Sequence, residues 1–420
     1  MSSVHVSSVQ VVSREGRADG RLHRSAARRA VIVSVPGGAS GLLERLREVR
    51  AAGDVPLVGD ERLARQGDSS GGAAATALGA GAGAAPAAAA AAAGAGPLPH
   101  GAAWATLTSG SSGAPRIVLR TAASWSDSFA TVARLLDAGP NDAVLLPAPP
   151  SASLTLFSLA HALEGGPRPV LGTERRSAAE RATANSTATS LHGTPQALRA
   201  VLDGGPLPRL RTALIGGSHL DTALRADAEA AGIRVSAYYG AAELSFVALD
   251  RGDGLRPFPG VELSIRDGEL WVRSPFVALG YAGASGPLRR DGRWATVGDR
   301  AELVDGRLRL LGRADDAILS ASATIVPEEV EAALRSIPGI RDAVVFGLPR
   351  ERVGALVAAF VERDATAPVG LRAATEDLLD VAHRPRRWFV GELPRTASGK
   401  PARAEAVRRA LAGEVQRLAV

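Results

Sequence analysis

The chain of 420 residues contains no cysteine, a single lysine and two asparagines, and aromatic residues make up only 4% of it. Without cysteine there can be no disulfide framework, no thiolate zinc site, no iron–sulfur cluster and no cysteine nucleophile. The absence of disulfides fits a reducing compartment, and we expect a cytoplasmic protein. Covalent thiol catalysis by the chain itself is excluded.

Lysine is scarce even though the chain is rich in basic residues. Lys and Arg together number 49, and the sole lysine is Lys400. Arginine, alanine, glycine and proline codons are GC-rich, whereas lysine and asparagine codons are AT-rich, so drift in a GC-rich genome explains the general pattern. A lysine that persists against this bias is a candidate functional residue.

The other basic residues are spread along the chain, which has a formal net charge of +6. An arginine-rich stretch at 14–29 lacks interleaved aromatics, so it predicts a mobile basic arm over 1–28 and no nucleic-acid partner. The apolar run from Ala30 to Val35 is too short for a signal-peptide core, and no targeting segment is expected. Residues 67–99 are rich in alanine and glycine, which predicts a linker and no membrane partner.

The remaining sequence predicts an α/β protein. A strand, helix and strand pattern at 29–66 is typical of a βαβ unit, and short apolar strands alternate with helices again after residue 100. Between 256 and 312, alternating segments are joined by Asp-Gly pairs, which favour antiparallel hairpins. Those pairs are Asp267–Gly268, Asp291–Gly292 and Asp305–Gly306.

We expect a large domain and a small one. The large domain has an abbreviated first part at 29–66 and a main part at 100–312, and residues 313–420 form a small α+β domain. The helices expected in the small domain begin at Pro327, lie around 370–382, and follow Pro401.

The first chemical motif is a loop of serine and glycine. Backbone N–H groups and hydroxyls in such a loop can surround an anion, because glycine permits the required dihedrals. The pattern alone is weak, since most loops of this composition are only loops. Its candidate residues are Thr108, Ser109, Gly110, Ser111, Ser112, Gly113 and Arg116.

Four further motifs follow along the chain. Tyr239, Gly240 and Glu243 stand at a predicted strand end, where they could stack a nucleobase and hold magnesium, or could simply be a packed tyrosine and a surface carboxylate. Asp299 suits two vicinal hydroxyls, and Arg313 suits ribose or phosphate. The last motif is a Thr-Ala-Ser-Gly sequence that leads to Lys400.

These five motifs, in this order, resemble the ANL superfamily of adenylate-forming enzymes. The resemblance runs from about residue 30 to 415. It implies a large N-terminal α/β domain with parallel sheets and a small antiparallel β subdomain, followed by a small, mobile α+β C-terminal domain. It also implies ATP and Mg²⁺ as cofactors and a carboxylic acid as substrate.

The resemblance implies a role for each matching residue. The loop from Thr108 to Gly113, with Arg116, would hold the phosphates of ATP. Tyr239 would stack on adenine, Asp299 and Arg313 would hold the ribose, and Gly217 and Gly240 are further candidates for binding the nucleotide. Glu243 would bind Mg²⁺, Asp315 would be the hinge, and Lys400 would bridge the substrate carboxylate and the α-phosphate. A compact ammonium suits that last position, because it neutralises charge that develops between two anions.

The implied reaction has two halves, acyl-adenylate formation and transfer to the thiol of coenzyme A, which would make the protein an acyl- or aryl-CoA ligase. The alternatives are transfer to a carrier-protein phosphopantetheine or to an amine, and a catalytically impaired nucleotide-binding scaffold. The alternatives rest on departures from the family pattern. Arg116 replaces a lysine, Ala242 and Val297 replace threonines, and Ser322 stands where a glycine usually lines the pantetheine tunnel.

The acid itself cannot be named from the sequence. Candidates for the acid pocket are Ser151, His192, Gly216 and Ser218. Pro150 stands where the family commonly has an aromatic residue or histidine. For His192 a polar residue at the end of a strand is an equally good interpretation.

Overall fold

The computed structural model describes residues 30–33, 39–58, 98–108, 116–172, 187–205, 207–283, 285–313, 318–320, 323–350, 354–364, 370–376, 378–396 and 399–418. The large-domain strands are β1 Ala30–Val33, β2 Val55–Val58, β3 Trp104–Leu107, β4 Ile117–Arg120, β5 Ala143–Leu146, β6 Arg168–Leu171, β7 Ser190–Gly193, β8 Thr212–Ile215, β9 Arg234–Ala241, β10 Ser245–Asp250, β11 Arg256–Pro257, β12 Glu262–Arg266, β13 Glu269–Arg273, β14 Gly280–Ala282, β15 Arg289–Asp291, β16 Trp294–Thr296, β17 Asp299–Val304 and β18 Arg307–Arg313. Its helices are α1 Ala39–Ala51, α2 Ala123–Leu136, α3 Ser153–Leu163, α4 Pro195–Asp203 and α5 Thr222–Ala230.

The small domain follows β18. Its strands are β19 Ile318–Ser320, β20 Ala323–Ile325, β21 Ile340–Arg350, β22 Gly354–Arg363, β23 Arg387–Val390 and β24 Gln416–Leu418, and its helices are α6 Pro327–Arg335, α7 Leu371–Ala374 and α8 Arg403–Leu411.

The first sheet has the strand order β1-β2-β3-β4-β14. Strands β1, β2 and β3 are parallel, as the βαβ pattern at 29–66 predicts, whereas β4 and β14 are antiparallel to their neighbours. Strand β4 therefore returns directly from the loop that follows β3. That loop is the predicted phosphate-binding loop.

The second sheet has the order β11-β10-β9-β8-β7-β5-β6, and its strands from β9 to β6 are all parallel. Alternate residues of β5 face opposite cores, since Val144 and Leu146 pack with α2 and α3 whereas Ala143 and Leu145 pack with α4 and α5. Helices thus cover both faces, and strands β5 to β8 are almost entirely buried. The carboxyl ends of the parallel strands share one edge of this sheet.

A third sheet, with the order β15-β16-β13-β17-β18 and β12 beside β13, is antiparallel. Two of its hairpins turn at predicted Asp-Gly pairs, whereas Asp291 is the last residue of β15 and only Gly292 of that pair has a positive φ, 56°. Asp267 and Gly268 have φ of 51° and 76°, and Asp305 and Gly306 have φ of 51° and 73°. Two consecutive residues with positive φ match the twist of a two-residue hairpin, which explains the preference for Asp-Gly.

The small domain is built on a sheet in which β22 pairs with β21, β19 and β23. Helix α6 begins at Pro327, as predicted, but the helix expected at 370–382 is wrong. Helix α7 ends at Ala374, and the backbone continues in turns where the Glu376 and Leu379 carbonyls accept from Arg384. Within the described residues no helix has both the length and the hydropathy needed to cross a membrane.

Candidate active site

The predicted site residues collect at the carboxyl edge of the second sheet, where β7, β8 and β9 end. Gly216 and Gly217 follow β8, Tyr238 and Tyr239 lie near the end of β9, and Glu243 lies in the turn after it. Ligands of open α/β sheets commonly bind at this edge. Asp299 comes from the antiparallel sheet, where it is the first residue of β17.

Two successive tyrosines of β9 point to opposite sides, as the two-residue period of a strand requires. The hydroxyl of Tyr239 donates a hydrogen bond to the Asp299 carboxylate. Asp299 begins β17, and its backbone is paired with that of Arg313 on β18. The structure therefore brings Tyr239 and Asp299 together and places the backbone of Arg313 beside them; the side chain of Arg313 lies outside the described part of the chain.

Glu243 is held in a tight turn between β9 and β10. Gly240 is needed there because a Cβ at this position would lie 2.1 Å from the Ser245 carbonyl oxygen. The Glu243 side chain is only 6% exposed, and its Oε1 accepts a 2.8 Å hydrogen bond from the Tyr281 hydroxyl. That hydroxyl accepts in turn from the Leu288 N–H at 3.1 Å. Burial and the negative charge of Glu243 raise the pKa of Tyr281, so it remains a donor.

A buried cation lies behind Glu243. Arg120, at the end of β4, is 0% exposed, and its two terminal nitrogens donate to the Phe276 carbonyl at 2.8 and 2.9 Å. Burial lowers the pKa of Arg120 to about 9, and the charge of Glu243 acts in the opposite direction. Two residues after Phe276, the Ala278 N–H donates to the Glu243 carbonyl at 2.7 Å. Arg120 thus supports the segment that fixes the Glu243 backbone.

Lys400 reaches this site from the small domain. A Cβ on Gly217 would lie 3.1 Å from Lys400 Cε and 3.9 Å from its Nζ, so the lysine passes directly over a residue whose φ of +92° already favours glycine. Burial lowers the pKa of Lys400, whereas Asp299 and Glu243 raise it. The sole ammonium side chain of the protein therefore lies within electrostatic range of both carboxylates.

The loop that carries Lys400 is closed on itself. We call Arg395, Thr396, Gly399, Lys400 and Pro401 the lysine loop. The Thr396 N–H donates to the Lys400 carbonyl at 2.7 Å, and the Gly399 N–H donates to the Thr396 carbonyl at 2.9 Å. Arg395 anchors the loop through ion pairs with Asp342 at 2.9 Å and Glu362 at 2.8 Å.

The other side of β9 is uncharged. His192, at the end of β7, is 0% exposed, and its ring nitrogens bond to the Ser158 hydroxyl at 2.8 Å and the Tyr238 hydroxyl at 3.0 Å. Burial, with the nearby His161, lowers the pKa of His192 to about 3, so the imidazole is neutral. Gly216 is required here because a Cβ would lie 2.2 Å from the Tyr238 ring.

Two domain families match this chain. The AMP-binding enzyme family matches residues 13–282, and the AMP-binding enzyme C-terminal domain matches residues 329–400. The first match spans more than half of the chain. The chain belongs to the AMP-binding enzyme family.

Relatives within the family agree with this assignment. A probable 2-succinylbenzoate–CoA ligase of Mycobacterium tuberculosis is 35% identical over 334 residues, which are 74% of this chain and 85% of the relative. The 2-succinylbenzoate–CoA ligase of Salmonella typhimurium is 33% identical over 68% of this chain, and the match spans only 63% of that relative. The prediction of an AMP-forming ligase agrees with the matched family and with the names of these relatives.

Solved structures confirm the fold expected of this AMP-binding enzyme. An E. coli MenE with bound OSB-AMS has a TM-score of 0.69 at 23% identity, covering 87% of this chain and 85% of that chain. The amide bond synthetase McbA from Marinactinospora thermotolerans has a TM-score of 0.68 at 24% identity, covering 93% and 91%. A large α/β domain followed by a small α+β domain is the shared architecture.

The remaining predicted residues of the AMP-binding enzyme are less closely connected. Thr108 pairs with Arg116 across the ends of the predicted phosphate-binding loop, since its N–H donates to the Arg116 carbonyl at 2.9 Å and its hydroxyl accepts from the Arg116 N–H at 3.2 Å. Ser151 is partly exposed before α3, and Ser218 is exposed after Gly217. Ser109, Gly110, Ser111, Ser112, Gly113, Asp315 and Ser322 lie outside the described residues.

Three residues of the site were not predicted from the sequence. Tyr281 donates to Glu243 from the first sheet, Arg120 of the same sheet supports the segment at Phe276, and Thr194 lies beside Gly217. Thr194 and Tyr281 stand close to glycines, but no periodicity in the sequence links them to the motifs. A buried arginine can be suspected only from its place in the apolar run Ile117–Arg120.

Proposed function

We propose that the protein activates a carboxylic acid with ATP and transfers the acyl group to the thiol of coenzyme A. The observation that carries the proposal is Lys400, which the small domain places over Gly217 with the carboxylates of Asp299 and Glu243 nearby. An ammonium held between two domains, at the edge where phosphates bind, suits a reaction that joins two anions.

In the first half-reaction an oxygen of the acid attacks the α-phosphorus of ATP, and the bond to the β-phosphate breaks, releasing pyrophosphate. Lys400 neutralises charge on the attacking carboxylate and the α-phosphate. Asp299 accepts the ribose hydroxyls, and Tyr239, which donates to Asp299, fixes that carboxylate and offers its ring to the adenine. The protein forms no covalent bond to the substrate, so it acts through position and charge.

We assign Mg²⁺ to Glu243. This ion is usually bound by one or two carboxylates together with phosphate oxygens, so a single carboxylate at the phosphate edge fits it. Tyr281 occupies Oε1 as a hydrogen-bond donor and fixes the orientation of the carboxylate. When bound, Mg²⁺ would neutralise the phosphates of ATP; among the described residues no group of three or more potential ligands provides a complete protein site.

In the second half-reaction the thiol sulfur attacks the acyl carbonyl, and AMP leaves as the thioester forms. A carrier-protein phosphopantetheine is the second candidate acceptor. One similarity favours it, since a fatty acid–[acyl-carrier-protein] ligase of Mycobacterium marinum is 32% identical over 46% of this chain.

To test this proposal, the protein is incubated with ATP, Mg²⁺ and a panel of acids that includes 2-succinylbenzoate, aryl acids and fatty acids. Pyrophosphate release and trapping of the adenylate by hydroxylamine report the first half-reaction, and mass spectrometry after adding coenzyme A reports the thioester. Adenylate without thioester would exclude coenzyme A and lead to trials with a loaded carrier protein. Absence of pyrophosphate with every acid would favour the scaffold alternative, which the assembled Glu243, Asp299 and Lys400 oppose.

A further inference from the structure

One helix of the large domain contacts the lysine loop directly. Helix α4 begins at Pro195, with Thr194 as its N-cap, and the Thr194 hydroxyl accepts from the Ala197 N–H at 3.3 Å. Thr194 therefore has a fixed side chain. A Cβ on Gly399 would lie 3.7 Å from its hydroxyl oxygen, and a Cβ on Gly217 would lie 3.5 Å from its methyl carbon.

Gln196, in the first turn of the same helix, contacts the small domain in two places. Its Oε1 would lie 3.3 Å from a Cβ on Gly399, so it lies against the backbone next to Lys400. Its Nε2 donates to Asp342 Oδ2 at 3.4 Å, which is long for an N–H···O hydrogen bond. The Gln196 amide therefore contacts both the lysine loop and a carboxylate on β21.

That carboxylate is the centre of the loop's anchorage. Asp342 is 8% exposed, and it pairs with Arg395 at 2.9 Å and with Arg335 at 3.4 Å. Arg335 also acts electrostatically on the large domain. Burial and the positive charge of Arg335 both lower the pKa of His219. The contact at Gln196 thus joins α4 to the same ionic cluster that orients Arg395 and the lysine loop.

We propose that Gln196 is a positioning residue for adenylation: it docks the lysine loop on the N-terminal turn of α4 and so holds Lys400 over Gly217. The inference rests on the proposed function for its consequence in catalysis. A positioning contact that belongs only to this domain arrangement contributes to the first half-reaction, in which Lys400 is at the site, and not to thiol transfer.

The sole lysine gives a readout that does not depend on activity. The variants are Gln196→Ala and Gln196→Glu, the second placing a carboxylate against Asp342, and the matched control is Gln416→Ala on the exposed strand β24. Each protein is treated with an amine-reactive acetate ester, and acetylation of Lys400 is measured by peptide mass spectrometry, separately from the α-amino group. We expect both Gln196 variants to increase the acetylation rate of Lys400 severalfold and the control to match the wild type.

The catalytic readout separates the two half-reactions. Loss of one hydrogen bond and its packing should lower acid-dependent pyrophosphate release by about tenfold. Thioester formation from a supplied acyl-adenylate should be unchanged. Equal acetylation in the variants and the wild type would overturn the proposal, as would an equal fall in both half-reactions. If the wild type adenylates no acid, the proposed function fails, and acetylation alone decides whether Gln196 docks the loop.

Discussion

The two sides of strand β9 differ sharply in charge. On one side Tyr238 joins Ser158 and His192 in a chain of neutral hydrogen bonds among aromatic rings. On the other side Tyr239 bonds to Asp299, close to Glu243 and Lys400. Adjacent residues of one strand thus separate an uncharged compartment from a charged one. Under the proposed function, the charged side would face the nucleotide and the neutral side would face the acyl group.

On the charged side, the substitution with the largest expected effect is Lys400→Ala. Removing a preorganised positive group from a developing charge typically costs about a hundredfold to a thousandfold in rate. We expect pyrophosphate release to fall by this amount while ATP binding, measured by calorimetry, is nearly unchanged. Lys400→Arg should not restore the rate, because a planar guanidinium does not fit over Gly217 in the same way. Adenylation at the wild-type rate by Lys400→Ala would remove the lysine from the mechanism.

Gly217→Ala tests the space beneath that lysine. Its φ of +92° and the 3.1 Å approach of Lys400 Cε predict both backbone strain and displacement of the ammonium. Gly165→Ala is the matched control, since Gly165 has a φ of +90° and no atom within 4 Å of its Cβ position. Both variants should lose about 1 kcal/mol of unfolding free energy, and only Gly217→Ala should adenylate about tenfold more slowly. Similar rates for both would mean that strain alone matters.

Tyr238→Phe tests the neutral side. The substitution leaves a His192 ring nitrogen without its partner, which should lower the free energy of unfolding by about 1 kcal/mol in urea titrations. The KM for the acid should change while the KM for ATP does not. Tyr239→Phe, on the opposite side of the strand, should show the reverse pattern. If both variants alter the same KM, the two compartments are not separate.

The smallest effect at neutral pH concerns the buried histidines. Burial lowers the pKa of His192 to about 3 and that of His161 to about 4, from 6.5. Below pH 6.5 the unfolded chain binds protons that the folded chain does not, so stability falls as the pH drops towards these values and is independent of these groups above 6.5. Each group contributes at most about 1.4 kcal/mol per pH unit. Replacement of His192 by Asn should flatten the acid limb of a stability–pH curve; an unchanged slope would mean that His192 titrates normally.

The sequence was most informative where local chemistry decides the structure. The Asp-Gly pairs predicted the hairpins because few residues adopt consecutive positive φ, and the motif at Tyr239 to Glu243 predicted a site at a strand end. Tyr281, Arg120 and Gln196 could not be predicted, because each reaches the site through contacts between distant segments. The helix expected at 370–382 is shorter than predicted, since it ends at Ala374, and the Glu376 and Leu379 carbonyls that follow accept from Arg384.

The closed lysine loop bears on the entropy of activation. Hydrogen bonds within the loop fix the backbone at Lys400 before any substrate binds, and Arg395 ties that backbone to β21 and β22. The ordering cost, which for a loose terminal lysine would recur at every turnover, is therefore met once during folding. Under the proposed function, in which the small domain carries Lys400 to the nucleotide, the backbone at Lys400 is therefore already ordered when it arrives.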